Sequence, residues 1–275
     1  MSVKPLEAKD SVPSAKGPGT GRSIQVLGRA LDVLEVLAAH PRGTSLTEIA
    51  AQVHLHKSTV HRILHTLARR GYVMQGHDAS YRLGLRVVGL GEAVLGGLDI
   101  REEARVYLEE LLLATNEVVH LVVMEQGEMV YIDKLEGTRT VRTHSVVGMR
   151  VPVHCTGVGK AILAHLPEPT VRAILAEKGM RRHTAHTIVT VDALLAELST
   201  VRTRGYALDR EENEEGICCV AAPVRDHAGR VVAAISVSAP AMRMQSDALQ
   251  RWIPLTRATA ARISARLGAP AASPG

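Results

Sequence analysis

A polar stripe along one amphipathic segment is the first feature of the sequence that could do chemistry. In STVHRILHTLARR, residues 58–70, the apolar side chains follow the i, i+3, i+4, i+7 spacing of a helix. Ser58, Arg62, His65 and Arg69 fall on the opposite face. Arginine can contact phosphates or guanine edges, while serine and histidine are short hydrogen-bonding groups. The stripe therefore favours contact with DNA.

The segments on either side of this helix predict a winged helix-turn-helix. A longer helical pattern precedes it, and Pro41 marks the end of that pattern. A short helix follows in TSLTEIAAQV, where Thr44 or Ser45 can cap the first turn and Glu48 holds the capping-box position. The intervening HLHK is too short for the two helices to separate, so they pack at a steep angle. Beyond the third helix, YVMQ and SYRLG flank a turn and predict a hairpin.

Most of the net charge of the chain lies in this short region. Residues 22–83 contain eight Lys and Arg and four Asp and Glu, which accounts for most of the chain's net charge of +5. A basic excess beside a polar helix face is the footprint of a nucleic-acid-binding domain. Periodicity and charge alone leave one alternative open, a solvated helical bundle with ordinary surface charge.

The composition indicates a cytoplasmic protein of about two domains. The chain has 275 residues, 46% of them hydrophobic, and it contains no Phe, so its core must be aliphatic. No apolar run approaches the ~20 residues of a membrane span, and the N-terminal residues do not form a secretory signal. Three cysteines make a poor disulfide framework. We expect residues 1–21 and 269–275, which are rich in proline and small residues, to be disordered tails.

Beyond the hairpin, the pattern changes to that of a domain with both strands and helices. We place the winged helix-turn-helix domain at 22–84, a linker helix at 85–99 and a second domain at 100–268. In the second domain, strand patterns turn at Gln126–Gly127 and at Asp226–Gly229, and helical patterns alternate with them. This mixture predicts an antiparallel sheet covered by helices, so the predicted fold class is α+β.

Three separated blocks of the sequence resemble the IclR family of bacterial transcriptional regulators. They are LDVLEVLAAHPRGTSLTEIAAQVHLHKSTVHRILHTLARRGYV, VPVHCTGVGKAILA and GYALDREENEEGICCVAAPVRDHAGRVVAAISVSAP, and they occur in the family's order. The resemblance covers nearly everything from Ser23 to Leu267. It implies a winged helix-turn-helix that binds DNA, a linker helix and a GAF-like α/β effector-binding domain, assembled as dimers or tetramers.

Site residues can be assigned to both domains. We expect the DNA-binding residues to be Thr44, Ser45, Lys57, Ser58, Thr59, His61, Arg62, His65 and Arg69. The family's motif implies that the effector contacts Gly157, Val158, Asp209, Cys219, Ser236 and Ser238. The family usually has alanine at the first of these effector positions.

The residue types of the implied pocket favour a small organic acid as effector. Side chains alternate along a strand, so Ser236 and Ser238 share one face of VVAAISVS, and buried hydroxyls need partners. The glycine-rich chain near Gly157 opens a helix, where free backbone amides attract anions. Asp209 suits a bare carboxylate poorly. It fits better if the ligand carries a hydroxyl or an amine that donates to it.

Three enzyme-like patterns are weaker. HCTGVGKA resembles a P-loop, but His154 stands where its first glycine should be, and Ala161 follows the lysine where Ser or Thr is required. The residues that zinc could use are His183, His186, Cys155, Cys218 and Cys219. They contain no CxxC pair and match no standard spacing. Cys155 beside His154 could suggest a thiol nucleophile, but neighbours on a strand point to opposite faces, so this pair alone is no evidence for a nucleophile and base.

Two classes of function are compatible with these patterns. The favoured one is a ligand-responsive regulator, more a repressor than an activator, that binds double-stranded DNA at an inverted repeat. It acts as a homodimer or a dimer of dimers and needs no cofactor or metal. The alternative is a thiol- or zinc-dependent hydrolase with an accessory DNA-binding-like domain, but the sequence offers no clustered nucleophile and base for it.

Overall fold

Two compact units make up the chain. The computed structural model describes residues 25–76, 78–140 and 145–270, and the division between the units falls between Gly97 and Leu98. The tails predicted at 1–21 and 269–275 lie outside the described residues, apart from residues 269 and 270. None of the helices in the described ranges has the length and apolar character to cross a bilayer.

The N-terminal unit contains three helices followed by a two-stranded hairpin, as the sequence predicts. Its elements are α1 (Gln25–Ala39), α2 (Leu46–Gln52), α3 (Lys57–Arg69), β1 (Val73–Gln75) and β2 (Tyr81–Leu83). Aliphatic side chains from all three helices form the core, chiefly Val33, Leu37, Ile49, Val60 and Leu64. The amphipathic pattern of α3 is confirmed, because its apolar stripe is the side that is buried.

Ser45 begins α2 with the predicted capping box. Its hydroxyl accepts the Glu48 amide at 3.2 Å, and the Glu48 carboxylate accepts the Ser45 amide at 2.9 Å. Thr44 adds a bond from its hydroxyl to the same carboxylate at 2.8 Å. These hydrogen bonds, of which the one from the Ser45 amide has the largest effect, lower the pKa of Glu48 to about 2.

His54 turns the chain from α2 towards α3 with a φ of 53°, in the left-handed region that glycine usually occupies.

A fourth helix, α4 (Arg86–Leu95), follows the hairpin inside the region predicted as a linker. Gly84 allows the chain to leave the hairpin, because a Cβ at this position would lie 2.2 Å from the Gly71 carbonyl oxygen. Three apolar side chains at the start of the helix are largely exposed, namely Leu85, Val88 and Leu90. Clustered apolar exposure of this kind is typical of an interface.

A six-stranded antiparallel sheet organises the C-terminal unit. Its strands are β3 (Val118–Glu125), β4 (Glu128–Leu135), β5 (Arg150–Val151), β6 (Ala207–Arg210), β7 (Ile217–Arg225) and β8 (Val231–Pro240). Their order across the sheet is β5-β4-β3-β8-β7-β6, with every neighbouring pair antiparallel. The helices are α5 (Ile100–Thr115), α6 (Gly157–Leu163), α7 (Glu168–Lys178), α8 (Val191–Arg204) and α9 (Ser246–Arg266).

Helices cover both faces of this sheet. Alternation along β8 sends Ile235 and Val237 to one face, where they pack with α5 and α9. Ala234 points to the other face and packs with α6, α7 and α8. The result is the predicted α+β domain, and it fits the GAF-like fold that the resemblance implies.

The turns and the ends of the elements can be compared with the sequence prediction. The β3–β4 turn has Gln126 at a φ of 51° and Gly127 at 75°, the left-handed pair of a type I′ turn, as predicted. Helix α6 begins at Gly157, where the Thr156 hydroxyl accepts the Gly159 amide and caps the first turn. The two-residue strand β5 is too short for any pattern to predict.

Candidate functional site

The exposed face of α3 carries the polar stripe. All four residues of the stripe are exposed, as are Lys57 and His61, whereas Thr59 is half-buried. His56 caps the helix: its Nδ1 accepts the Ser58 amide at 3.4 Å and lies 2.8 Å from the Ser58 hydroxyl. The face is therefore polar and solvent-accessible along the length of the helix.

The cations of α3 are free to meet an external partner. Among the residues that the structure describes, the side chains of Lys57, Arg62 and Arg69 have no hydrogen-bond or ion-pair partner. Arginines of the C-terminal unit are often paired, as Arg105 is with Asp133 at 3.0 Å. Free guanidinium groups on an exposed helix can bind phosphates or base edges.

Thr44 and Ser45 support the start of α2. Thr44 is buried, its hydroxyl is used by Glu48, and its backbone exchanges hydrogen bonds with Tyr81 of β2 at 3.0 and 2.8 Å. The Ser45 hydroxyl is occupied by the capping box. A direct contact between the Thr44 side chain and DNA would require it to leave these bonds, so its structural part is to join α2 to the hairpin.

A small polar cavity lies in the C-terminal unit between the sheet and the start of α6. Its volume is about 60 Å³. About 10–15 Å³ is enough to hold one water, so the cavity has room for a molecule of a few heavy atoms. Five of the six expected effector residues line it, with Gly157 as the exception. The lining residues are His120, Tyr131, Ser145, Met149, Val151, Thr156, Val158, Asp209, Asn213, Glu214, Ile217, Cys219, Ser236 and Ser238.

Strand register brings three of the expected residues into one row. Cys219 on β7 lies opposite Asp209 on β6 and opposite Ser238 on β8. Opposed residues of antiparallel strands have Cα atoms about 4.5–5.5 Å apart. Ser236 follows on the same face of β8, and all four residues are buried. A carboxyl group, a thiol and two hydroxyls from three strands therefore meet at one place.

His120 on β3 completes the floor of the cavity, although no pattern in the sequence marks it. Its Nδ1 lies 3.3 Å from Ser236 Oγ and 3.4 Å from Ser238 Oγ, and its Nε2 lies 2.7 Å from Ser145 Oγ. Burial, together with the charge of Lys134, lowers the pKa of His120 to about 3. The ring is neutral at pH 7, with one nitrogen donating and the other accepting. The His120 ring is therefore the hydrogen-bond partner of the buried hydroxyls of Ser145, Ser236 and Ser238.

Gly157 acts on the cavity through Cys219. A Cβ at this position would lie 2.7 Å from the Cys219 sulfur and 3.3 Å from Ala221 Cβ. Alanine at position 157 would therefore turn the thiol away. Because Thr156 also accepts an amide of the first turn, the start of α6 offers an anion fewer free amides than the sequence suggests.

The lysine of the P-loop-like stretch is buried and paired. Lys160 is 1% exposed, and its ammonium group forms an ion pair with Glu212, in the loop after β6. Gly159 permits the close packing of α6, because a Cβ there would lie 2.2 Å from the Val153 carbonyl oxygen. Lys160 therefore connects α6 to the loop after β6 and is not placed to bind phosphate.

The three thiols are protonated at neutral pH. Burial, assisted by the charge of Asp209, raises the pKa of Cys155 to about 12 and that of Cys218 to about 11. The same two causes raise the pKa of Cys219. Since the thiolate is the nucleophile, none of these cysteines is activated for attack. Cys218 is half-buried and packs against the core on the α5 and α9 side.

Asp209 is a carboxyl group that titrates near neutral pH. Burial raises its pKa to about 7, against the opposing effect of the Glu212 amide, which donates to its Oδ1 at 2.8 Å. The charges of Glu212 and Lys160 act in opposite directions on this pKa. The group can accept a hydrogen bond when ionised and donate one when protonated.

Both units match known families. The IclR helix-turn-helix domain matches residues 26–77, and the domain described as bacterial transcriptional regulator IclR C-terminal matches residues 92–265. The HTH-type transcriptional regulator XynR of Escherichia coli is 37% identical over 249 residues, which cover 90% of this chain and 99% of XynR. The transcriptional repressor AllR of Salmonella typhi is 34% identical over 257 residues, which cover 93% of this chain and 94% of AllR.

Solved structures share the architecture. IclR of Thermotoga maritima is 33% identical, with a TM-score of 0.60, and the match covers 90% of this chain and 100% of that protein. The repressor BlcR of Agobacterium tumefaciens is 26% identical, with a TM-score of 0.74, and the match covers 91% of this chain and 100% of BlcR. These likenesses agree with the fold of each unit.

Asp209→Asn should change how the stability of the C-terminal unit depends on pH. The carboxyl group has a pKa of about 7 in the folded unit and about 3.9 in an unfolded chain. Between these pH values the unfolded chain has lost the proton while the folded unit keeps it, so this group lowers the free energy of unfolding as the pH rises. Asn cannot ionise. As the pH rises from about 5 to about 7, the free energy of unfolding of the variant should therefore increase by about 1–3 kcal/mol relative to that of wild type.

Urea unfolding followed through Trp252, the single tryptophan, reports on this unit because the side chain is buried in α9. Asp226→Asn is the control. Although burial opposes it, hydrogen bonds from Arg230 lower the pKa of Asp226, so this group is ionised in both states over the range. Its difference from wild type should stay constant. A constant difference for Asp209→Asn as well would contradict the raised pKa.

Proposed function

The chain belongs to the IclR family of bacterial transcriptional regulators, and from that premise we propose that it is a repressor whose affinity for DNA is controlled by a small organic acid. As a family member it binds DNA and a small-molecule effector, and it is a regulator and not an enzyme. The relatives lend no support to the hydrolase alternative. Repression is supported by the relatives AllR and BlcR, which are both named as repressors.

Helix α3 enters the major groove in this proposal. The observation that carries it is that the exposed cations of α3 have no partner in the part of the chain that the structure describes. Ser58 and Arg62 lie on the first turns and face the bases, and Arg69, at the C-terminal end, lies nearer the phosphate backbone. Recognition helices of helix-turn-helix proteins contact base edges chiefly through their N-terminal residues. Lys57, Thr59, His61 and His65 complete the contacts on this helix.

The operator is an inverted repeat bound by a dimer or a dimer of dimers. One winged helix contacts only a few base pairs, and symmetric dimers bind half-sites about one helical turn or a multiple apart. Apolar side chains are exposed on two helices of the N-terminal unit and are available for dimerisation. They are Val26, Leu27 and Leu31 on α1, and Val88 and Leu90 on α4.

The effector is a small acid that also carries a hydroxyl or amine group. The cavity of about 60 Å³ supports a small ligand. Ser236, Ser238 and Cys219 face it with groups that can donate, while the ionised form of Asp209 can accept from the ligand. Gly157 and Val158 complete the set, the first through the Cys219 thiol and the second through its lining side chain.

Control of DNA binding requires that the effector prefers one of two states. A ligand shifts an equilibrium only by its differential affinity for the two conformations. We place the DNA-binding domain at 22–84, the linker helix at 85–99 and the effector-binding domain at 100–268, so the ligand acts at a distance from DNA. As the DNA partner lies in the bacterial cytoplasm, we expect the protein to act there.

Arg62→Ala should weaken binding to the natural promoter by about 1–3 kcal/mol, if Arg62 makes a bidentate base contact. Fluorescence anisotropy at fixed salt measures this, and a loss that is greater on the operator than on unrelated DNA separates a base contact from a phosphate contact. Arg101→Ala removes a charge from an exposed arginine of α5 and is the matched control. Unchanged affinity for Arg62→Ala would remove Arg62 from the base-contacting residues.

Leu31→Lys should halve the assembled mass, because it places a charge on the apolar face of α1. Light scattering coupled to size exclusion at micromolar concentration measures the mass. Leu113→Lys, at an 83% exposed position of α5, is the matched control and should leave the mass unchanged. A strictly monomeric wild-type protein would contradict the dimer.

Ser236→Ala should weaken effector binding and leave the affinity for DNA without ligand near wild type. Losing a neutral hydrogen bond costs roughly 0.5–1.5 kcal/mol, and losing one to a charged group roughly 1.5–3 kcal/mol. Calorimetry with a panel of small hydroxy and keto acids measures binding, and anisotropy on the promoter with and without each acid measures the response.

Ser199→Ala, at an exposed position of α8, is the control for this experiment. Thermal unfolding followed through Trp252 checks that each variant is folded. If Ser236→Ala and Cys219→Ala both bound and responded as wild type does, the effector site would have to lie elsewhere.

A further inference from the structure

Three possible metal ligands from two separate segments meet beside the effector pocket. His154 and Cys155 lie in the bend before α6 and not on a strand, so the expectation that they point to opposite faces was wrong. His183 lies in the segment between α7 and α8. One ligand atom of each lies within 4.8 Å of the others. In the described ranges this is the one such group of histidine, cysteine and carboxylate side chains. The two segments are far apart in the sequence, so no spacing motif reveals the group.

The surroundings of His154 resemble those of a metal-binding histidine. Its Nε2 lies 3.0 Å from the Arg181 carbonyl oxygen and donates to it, which leaves the ring's lone pair on Nδ1. A metal-bound histidine almost always donates its other N–H in this way, because the bond fixes the tautomer and the ring orientation. His154 and Cys155 are buried and held in place, whereas His183 is exposed and can rotate towards them.

We propose that His154, Cys155 and His183 form a binding site for a thiophilic divalent cation such as Zn²⁺. Two imidazoles and a thiolate are the ligands that zinc prefers, at about 2.0–2.3 Å, in a tetrahedron whose fourth position is left for water. Hard cations such as Mg²⁺ and Ca²⁺ prefer oxygen ligands and are excluded by the donor set. On binding, the Cys155 S–H bond breaks, its proton goes to solvent, and the sulfur bonds the ion.

The site would join the segments that surround the effector pocket. Cys155 Sγ lies 3.6 Å from Asn213 Oδ1, and Asn213 lines the pocket, as does Thr156. Thr184, next to His183, donates its hydroxyl to the Glu211 carbonyl at 2.6 Å. An ion at this place fixes the start of α6 to the segment before α8, next to the loop that follows β6. The bound ion would therefore stabilise the C-terminal unit, and this effect does not depend on whether the effector is an acid.

Cobalt titration of the metal-free, full-length protein tests the site. Co²⁺ bound to a cysteine thiolate and two histidines gives a sulfur-to-metal charge-transfer band and the visible bands of tetrahedral cobalt. We expect a single ion per chain with this spectrum, and displacement by Zn²⁺. Cys155→Ser should abolish the charge-transfer band. His183→Ala should weaken Zn²⁺ binding by more than the roughly 10–100-fold that loss of an outer partner costs.

Two matched variants show whether the binding belongs to this site. His186→Ala changes another exposed histidine of the same segment, and Cys218→Ser changes a half-buried thiol outside the group. Both should bind cobalt as wild type does. His183→Ala alters an exposed side chain and should remain folded, so its result stands if Cys155→Ser is unstable. A spectrum without a thiolate band, or binding that survives His183→Ala unchanged, would overturn the proposal.

Discussion

The buried ion pair between Lys160 and Glu212 is the interaction on which the geometry of the cavity between the sheet and α6 depends. Lys160 belongs to the wholly buried helix α6, and the Glu212 amide donates to Asp209 in the pocket. The Thr187 hydroxyl donates to the Glu212 carbonyl at 2.7 Å. Through its carboxylate, its amide and its carbonyl, Glu212 thus connects helix α6, strand β6 and the segment before α8. Removing one partner of such a pair costs about 3–5 kcal/mol, because the other charge stays buried.

The two units use their charges in opposite ways. In the C-terminal unit many cations are paired, as in the contacts of Arg105 with Asp133 and of Arg243 with Glu117, so these charges hold elements together. On α3, Arg62 and Arg69 have no partner among the described residues, so their charge is left for a polyanion. A net charge of +5 for the chain hides this division, which only the pairing of individual side chains reveals.

Sequence patterns predicted the elements well and the polar contacts poorly, for a physical reason. Amphipathic spacing identifies α3, and strand alternation puts Ser236 and Ser238 on one face, because both depend on neighbours in the sequence. His120 stands alone in an apolar strand, and its contact with Ser236 spans 116 residues. Lys160 and its partner Glu212 are 52 residues apart. Such contacts require the register of the sheet, which no short window of sequence contains.

The close approach of Gly157 to Cys219 has a consequence for how related receptors diverge. Because an alanine at position 157 would push the thiol into another rotamer, the same set of pocket side chains can present its sulfur in two ways. One methyl group at a position that does not line the cavity would then change how the thiol faces it. Comparing only the residues that line the cavity would class two such relatives as identical, although the Cys219 thiol would lie differently in each.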